Sequence, residues 1–364
     1  MVIPSFHREA LRIAKQVEQS AIRVGGRCTW IRDCGSQASV LRGDFDDGTA
    51  GVAFFLAEAG LADLACEALA HSLEAGACPA WVAARIDQVM HGQVRQPFLS
   101  VVETVEASAT QADALRLRDA AGLFDLGAED LAREVAEPAL VRLSAWVAEK
   151  EAIGLRASET GLTGGASAVA LALAAWSARA DWPPGFDLAL RVLRQERPWL
   201  DASLGWPGSS PANGLSGGVA GIAIARLGLH RWHDAPTLLA EAGAVLSRVR
   251  VTSAWPDPSD ASLATGLCGL IEAMLLAHAF TGEPSHLMAA RRMGEWMIGA
   301  AATRGGYGCS PGHGGDHPGL FTGLAGIGLT LLRLARPQAH PSAFGPLVWR
   351  GVALPPRSSP VGAL

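Results

Sequence analysis

The sequence predicts an all-α fold in which two concentric layers of helices are built from repeated hairpins, each opened by a glycine-rich knot. Three observations carry this. Hydrophobic residues make up 49% of the 364 positions, yet there is one Tyr and few β-branched stretches. Such Ala- and Leu-rich apolar material forms helices rather than strands. The 42 glycines are too many for helix interiors. They belong at element boundaries, where a missing side chain permits positive φ or close packing. A Gly-rich segment leading into an apolar helix also recurs, its last four copies about 50 residues apart, the period of a helix-hairpin array.

In chain order, Met1 to Arg12 lacks an apolar stretch and carries His7, Arg8 and Glu9, so it does not read as a secretory signal. The first knot, Gly43-Asp44-Phe45-Asp46-Asp47-Gly48-Thr49-Ala50-Gly51, runs into Val52 to Leu56. Residues 52 to 158 hold no clean knot. The nearest candidate, Gly122 to Gly127, has lost the small residues after it and reads equally as continuous helix. The second knot, Gly161 to Ala168, precedes an Ala/Leu helix, and the third, Gly214 to Gly221, precedes Ile222 to Leu229. Leu263 to Gly269 and Gly319 to Gly326 repeat the pattern before Leu270 to Ala279 and Ile327 to Leu334. The intervening segments Pro236 to Val249 and Pro284 to Ile298 have the i, i+3, i+4 pattern of outer helices, which leaves the all-apolar, Gly-led helices inside. Trp182-Pro183-Pro184-Gly185, Gly205 to Gly208, Trp255 to Pro258 and Arg304 to Pro318 read as loops. No linker divides the chain, so residues 1–364 are expected to form one domain.

A net charge of −5 without any cluster of Lys and Arg excludes a nucleic-acid binder. The longest apolar runs, such as Ala166 to Trp176, fall short of the ~20 residues of a membrane span. Cysteines at 28, 34, 66, 78, 268 and 309 are scattered, which suggests reduced thiols and a cytoplasmic location.

Asp44 to Gly51 is similar to the "DLYDGTAG" motif of the LanC-like family, the cyclases of lanthipeptide synthetases. Pro318 to Gly328 with Leu331-Leu332-Arg333-Leu334 resembles that family's "PGLMTGLAGIG" and "LLRL". The resemblance runs from about residue 7 to 348 and is nearest to the C-terminal cyclase domain of class II synthetases. It implies an α/α toroid, a double-layered helical barrel, which agrees with the repeat pattern. It also implies a zinc site made of one Cys from a "WCHGxxG" knot and a Cys-His pair from an "LCHGxxG" knot, where zinc would hold a peptide thiolate for addition to a dehydroamino acid.

Carried over residue by residue, the first Cys falls on Ser216 and its neighbouring His on Gly217, while the pair falls on Ala264 and Thr265. Gly164 stands where a further knot of the family commonly has His. A methyl group or an unactivated hydroxyl does not replace thiolate or imidazole, so no metal and no other cofactor is expected. Cys309, His313 and His317 form a C-x3-H-x3-H run before the last knot. They are weak candidates for a relocated metal or acid/base site, set against a solvated loop. Cys268 reads as a core residue. Asp44, Asp46 and Asp47 could form catalytic carboxylate pairs but read more simply as groups at the positive end of the helix that starts near Thr49. Trp182, Trp206 and Trp255 read as a ligand platform or as loop anchors.

The resemblance implies a role in ribosomal-peptide maturation: a zinc-independent cyclase that adds a Cys thiol of a dehydrated precursor peptide to a dehydroamino acid. Two alternatives stay open. One is a non-catalytic scaffold that holds the precursor or a partner kinase, lyase or dehydratase; the other is an unrelated toroid enzyme such as a glycosidase. A polar cluster in the central cavity would favour turnover, and a cavity lined by Ser216, Thr265 and apolar atoms would favour the scaffold.

Overall fold

A computed structural model describes residues 5–33, 38–92, 108–201, 214–216, 218–249, 259–309 and 317–349. Cys34, Trp206 and Trp255 lie outside the described residues. Among the described residues the fold is mostly helical: α1 (Phe6–Gln19), α2 (Thr49–Glu58), α3 (Ala62–Glu74), α4 (Ala80–His91), α5 (Ala109–Asp125), α6 (Glu129–Ile153), α7 (Ala166–Ala180), α8 (Pro184–Asp201), α9 (Val219–Trp232), α10 (Pro236–Val249), α11 (Leu267–Thr281), α12 (Pro284–Arg304) and α13 (Leu324–Ala335). The outer helix expected over Pro236 to Val249 has those bounds, and the one expected to end at Ile298 continues to Arg304. Two small antiparallel hairpins, β1 (Ile22–Val24) with β2 (Arg27–Thr29) and β3 (Ile31–Asp33) with β4 (Ala38–Val40), lie between α1 and α2. Three-residue strands leave too little pattern for sequence reading to find.

The packing has two layers. Helices α2, α4, α5, α7, α9, α11 and α13 each pack on the next in that order, and α13 packs back on α2. Outside them, α3, α6, α8, α10 and α12 cover α2, α5, α7, α9 and α11, while α1 covers α13. Inner helices such as α2 and α11 are apolar on nearly every face because they touch protein on every side, whereas α4 and α5 carry buried charged side chains. Every residue of α2 is buried, as is α11 from Leu267 to Ala277. The outer helix α12 buries one stripe, including Ala289, Ala290, Met293, Met297 and Ala301. Each large apolar side chain removed from water in this way contributes about 1.5–3 kcal/mol.

The helix-leading glycines of the knots answer to space rather than to positive φ. Gly48, Gly165, Gly218, Gly266 and Gly323 each cap an inner helix in extended conformation without a side-chain cap. Gly326 illustrates the close approach: a Cβ there would lie 1.9 Å from the Leu320 carbonyl oxygen six residues earlier. Among the described residues of the knots, the backbone takes the left-handed region at Gly161 and Gly164 of the second. Gly122 sits inside α5 against Trp81, and α5 ends at Asp125, so the nearest candidate for a knot in that region, Gly122 to Gly127, is the last turn of α5 and the turn into α6, with Gly127 in the left-handed region.

At the other end of the inner helices, buried arginines pair with carboxylates: Arg85 with Glu58 (2.8 Å), Arg179 with Asp125 (2.7 Å) and Arg333 with Glu272 (2.9 Å). The segment 336–349 lies across this end. His340 Nδ1 meets Glu58 at 2.8 Å, its carbonyl accepts from Arg333, Ser342 donates to Glu272, and Trp232 and Arg179 donate to the carbonyls of Leu347 and Trp349. No helix among the described residues is long and apolar enough to cross a membrane.

Candidate functional site

The knots are joined edge to edge by backbone hydrogen bonds. Phe321 N–H donates to Asp46 (2.9 Å), Ala264 N–H to Phe321 (2.8 Å), the N–H groups of Leu215 and Ser216 to Ala264 (2.8 and 3.0 Å), and those of Leu162 and Thr163 to Leu215 and Ser216 (3.1 and 3.3 Å). This circuit leaves one gap, between the first and second knots, and α5 fills it. Gln111, Ala114, Leu115 and Arg118, one helical face of α5, point into the space the knots surround.

That space is a cavity of about 240 Å³. Its apolar wall includes Leu162, Ala168, Leu215, Phe321 and, from segment 336–349, Ala343, Phe344 and Leu347. Its polar wall consists of Asp46, Asp47, Gln111, Arg118, Thr163, Ser216 and Thr322. Phe45, Phe54 and Trp81 pack edge to face behind it, with ring centroids 4.8–5.9 Å apart.

The three aspartates of the first knot do not cap α2. The N–H groups of Thr49 and Ala50 at its start donate instead to the backbone carbonyls of Arg42 and Asp44, so the expected hydrogen bonds from the helix end to these carboxylates are replaced by backbone ones. Asp44 Oδ1 accepts from the Asp47 N–H at 2.9 Å and so shapes the turn. Asp46 accepts from Arg118 Nη1 at 3.2 Å. Asp47 Oδ1 accepts from both the N–H (2.9 Å) and the hydroxyl (2.7 Å) of Thr322, which ties the first knot to the last. Burial pushes the Asp47 carboxyl up to about 6, the charges of Asp46 and Asp44 add to the rise, and the Thr322 hydrogen bonds only partly offset it. Asp47 therefore exchanges its proton near neutral pH while it borders the cavity, the tuning expected of an acid/base group.

Of the positions singled out by sequence, Gly164, Ser216 and Ala264 line the cavity. Thr265 does not. Its hydroxyl turns to Asp260 (2.5 Å) and Ser262 (3.3 Å). Gly217 and His313 lie outside the described residues. The His317 side chain is buried and does not line the cavity; its Nε2 lies 3.9 Å from Asp47 Oδ1. Cys309 is buried beside it, its Sγ 3.9 Å from the His317 carbonyl oxygen. Cys268 is fully buried on α11 against Met297, and burial pushes its thiol up, as a core residue requires. Trp182 is half-buried against the core.

A hydroxyl at Ser216, a methyl at Ala264 and a hydroxyl already committed to Asp260 at Thr265 do not make the thiolate and imidazole set that zinc takes. Among the described residues no group of three His, Cys, Asp or Glu is arranged to hold a metal ion. Sequence reasoning missed Gln111, Arg118 and Thr322 as cavity residues. The helical spacing of Gln111, Ala114, Leu115 and Arg118 in a segment without a knot was the available signal.

A search of curated proteins gives no match to the chain. The sequence model of the family described as lanthionine synthetase C-like protein matches residues 143–344, which span the last four knots and the inner helices they lead, while Asp46, Asp47 and Arg118 lie ahead of that range. That match covers more than half of the chain, and on it the protein belongs to the lanthionine synthetase C-like family.

Proposed function

We propose that the protein is a lanthionine-type cyclase that works without zinc, adding a Cys thiol of a dehydrated precursor peptide to the double bond of a dehydroamino acid. One observation carries the reading: a convergent polar wall of Asp46, Asp47 and Arg118, drawn from separate elements, borders the cavity that the knots surround. In this mechanism the Asp47 carboxylate accepts the thiol proton. The sulfur forms a bond to Cβ of the dehydro residue, the π electrons move onto its carbonyl oxygen as an enolate, and the Asp47 carboxylic acid returns the proton to Cα. Atoms balance, since the net change is addition of S–H across C=C.

A peptide thiol of pKa ~8.5 facing a carboxyl at about 6 makes the first transfer uphill by ~3 kcal/mol. General base catalysis with the reactants held in contact tolerates such a gap. An unshifted aspartate would add ~3 kcal/mol more. The N–H and hydroxyl of Thr322 hold the Asp47 carboxylate in place, and His317, which does not line the cavity, does not touch substrate.

The test uses a synthetic peptide with one dehydroalanine and one Cys. The protein should speed loss of the free thiol, EDTA should leave the rate unchanged, and Asp47→Asn should return it to background. Loss of thiol at the background rate in the presence of folded protein refutes turnover. The hydroxyl and methyl at Ser216 and Ala264 favour a second reading, a scaffold for the precursor or for a partner kinase, lyase or dehydratase. That reading expects peptide binding without any rate effect.

A further inference from the structure

Five arginines of the inner helices, Arg85, Arg118, Arg179, Arg226 and Arg333, are buried, and Arg118 alone of them borders the cavity. Its guanidinium is held in one orientation. Nε donates to Asp119 at 3.1 Å, Nη1 donates to Asp46 at 3.2 Å, and the group packs over Phe45 and Trp81, 5.5 and 6.0 Å from the ring centroids. Nη2 has no acceptor among the described residues, although the side chain is only 6% exposed. A buried guanidinium with unused donors beside a cavity is poised for an oxygen of the ligand, because burial without an acceptor costs free energy that a bound acceptor recovers.

We propose that Arg118 is a catalytic residue that receives the carbonyl oxygen of the acceptor dehydroamino-acid residue and carries the negative charge of its enolate. This rests on the cyclase reading above and adds the group that handles the second half of the reaction. The division of labour follows from charge. Asp47 serves the sulfur and Cα protons, and Arg118, fixed for the life of the complex as a cation, serves the oxygen, where negative charge appears as the C–S bond forms. Donors already aimed at such an oxygen need no reorganisation when the charge develops. The site therefore selects acceptors whose double bond is conjugated to a carbonyl, and it places the Cys and its acceptor between Asp47 and Arg118.

The experiment measures thiol loss from the same dehydroalanine and Cys peptide with wild type, Arg118→Lys and Arg118→Gln, each first shown to be helical and to unfold cooperatively. Arg118→Gln should lower kcat by about 10²- to 10³-fold with KM changed by less than about threefold, the scale for loss of one oxyanion donor. Arg118→Lys, which keeps the charge, should recover part of that loss. The pH midpoint set by Asp47 should stay in place in Arg118→Lys. A folded Arg118→Gln protein with wild-type kcat, or one whose loss is confined to KM, overturns the assignment while the cyclase reading stands. Wild-type protein that gives no acceleration overturns both.

Discussion

Asp47→Asn should make the protein more stable at neutral pH while it abolishes turnover. The carboxyl is raised from 3.8 to about 6 by burial beside Asp46 and Asp44, with His317 Nε2 at 3.9 Å. The folded state therefore holds the proton more tightly than the unfolded chain. Its contribution to stability is fully present below pH 4, falls as the pH rises from about 4 to 6, and stays lost above that. The difference between 3.8 and about 6, at ~1.4 kcal/mol for each pH unit, corresponds to ~3 kcal/mol at pH 7.5. Asn keeps an oxygen that can accept from Thr322 and removes the buried charge. Urea unfolding of both proteins at several pH values is the assay. The variant should resist more urea at pH 7.5, and its advantage should shrink towards zero as the pH approaches 4. A variant that is less stable than wild type at pH 7.5, or an advantage that does not change with pH, would refute the account of Asp47 as a strained, shifted carboxyl.

The same group predicts a rate of thiol addition that climbs with pH to a midpoint near 6, a limb that Asp47→Asn should erase in stopped assays across pH 4.5–7.5. Arg226→Met leaves Glu196 buried, although Glu196 also accepts from Ser167 and the Gly161 N–H, so thermal unfolding should report a loss of about 3–5 kcal/mol, largely recovered when Glu196→Gln is added. Gly326→Ala drives a Cβ into the Leu320 carbonyl, with an expected cost of at least ~3 kcal/mol by urea unfolding. After dialysis against a weak chelator, elemental analysis should find well below one zinc per chain, because neither Ser216 nor Ala264 supplies a ligand.

The helical class and the inner helices were legible because a knot is a local device. Gly48 and Gly51 must lack a side chain where a helix starts against neighbouring carbonyls, and the requirement is written within ten residues. The outer helix Pro236–Val249 was legible from its stripe and its leading proline. What escaped was non-local. Arg118 meets Asp46 across 72 positions and Thr322 meets Asp47 across 275. Without those partners Asp46 and Asp47 look like ordinary acids ahead of a helix. Helix α4 escaped for a related reason: Trp81 and Arg85 are buried by Asp119, Phe45 and Glu58, none of which is near in sequence.

The hydrogen bonds between knots also bear on how the chain acquires its site during synthesis. The circuit runs from the first knot to the last, then backward through the fourth and third to the second. The anchor of Asp47 therefore leaves the ribosome 275 residues after Asp47 itself. A nascent chain can build the hairpins α7 with α8 and α9 with α10 from neighbours in sequence, but the Asp47 carboxylate stays without Thr322 until the last knot has emerged. Closing a contact of that span sets a high contact order and a slow final step. Folding intermediates should carry most of the native helix content with no capacity for thiol addition, and activity should appear only in the last kinetic phase of refolding.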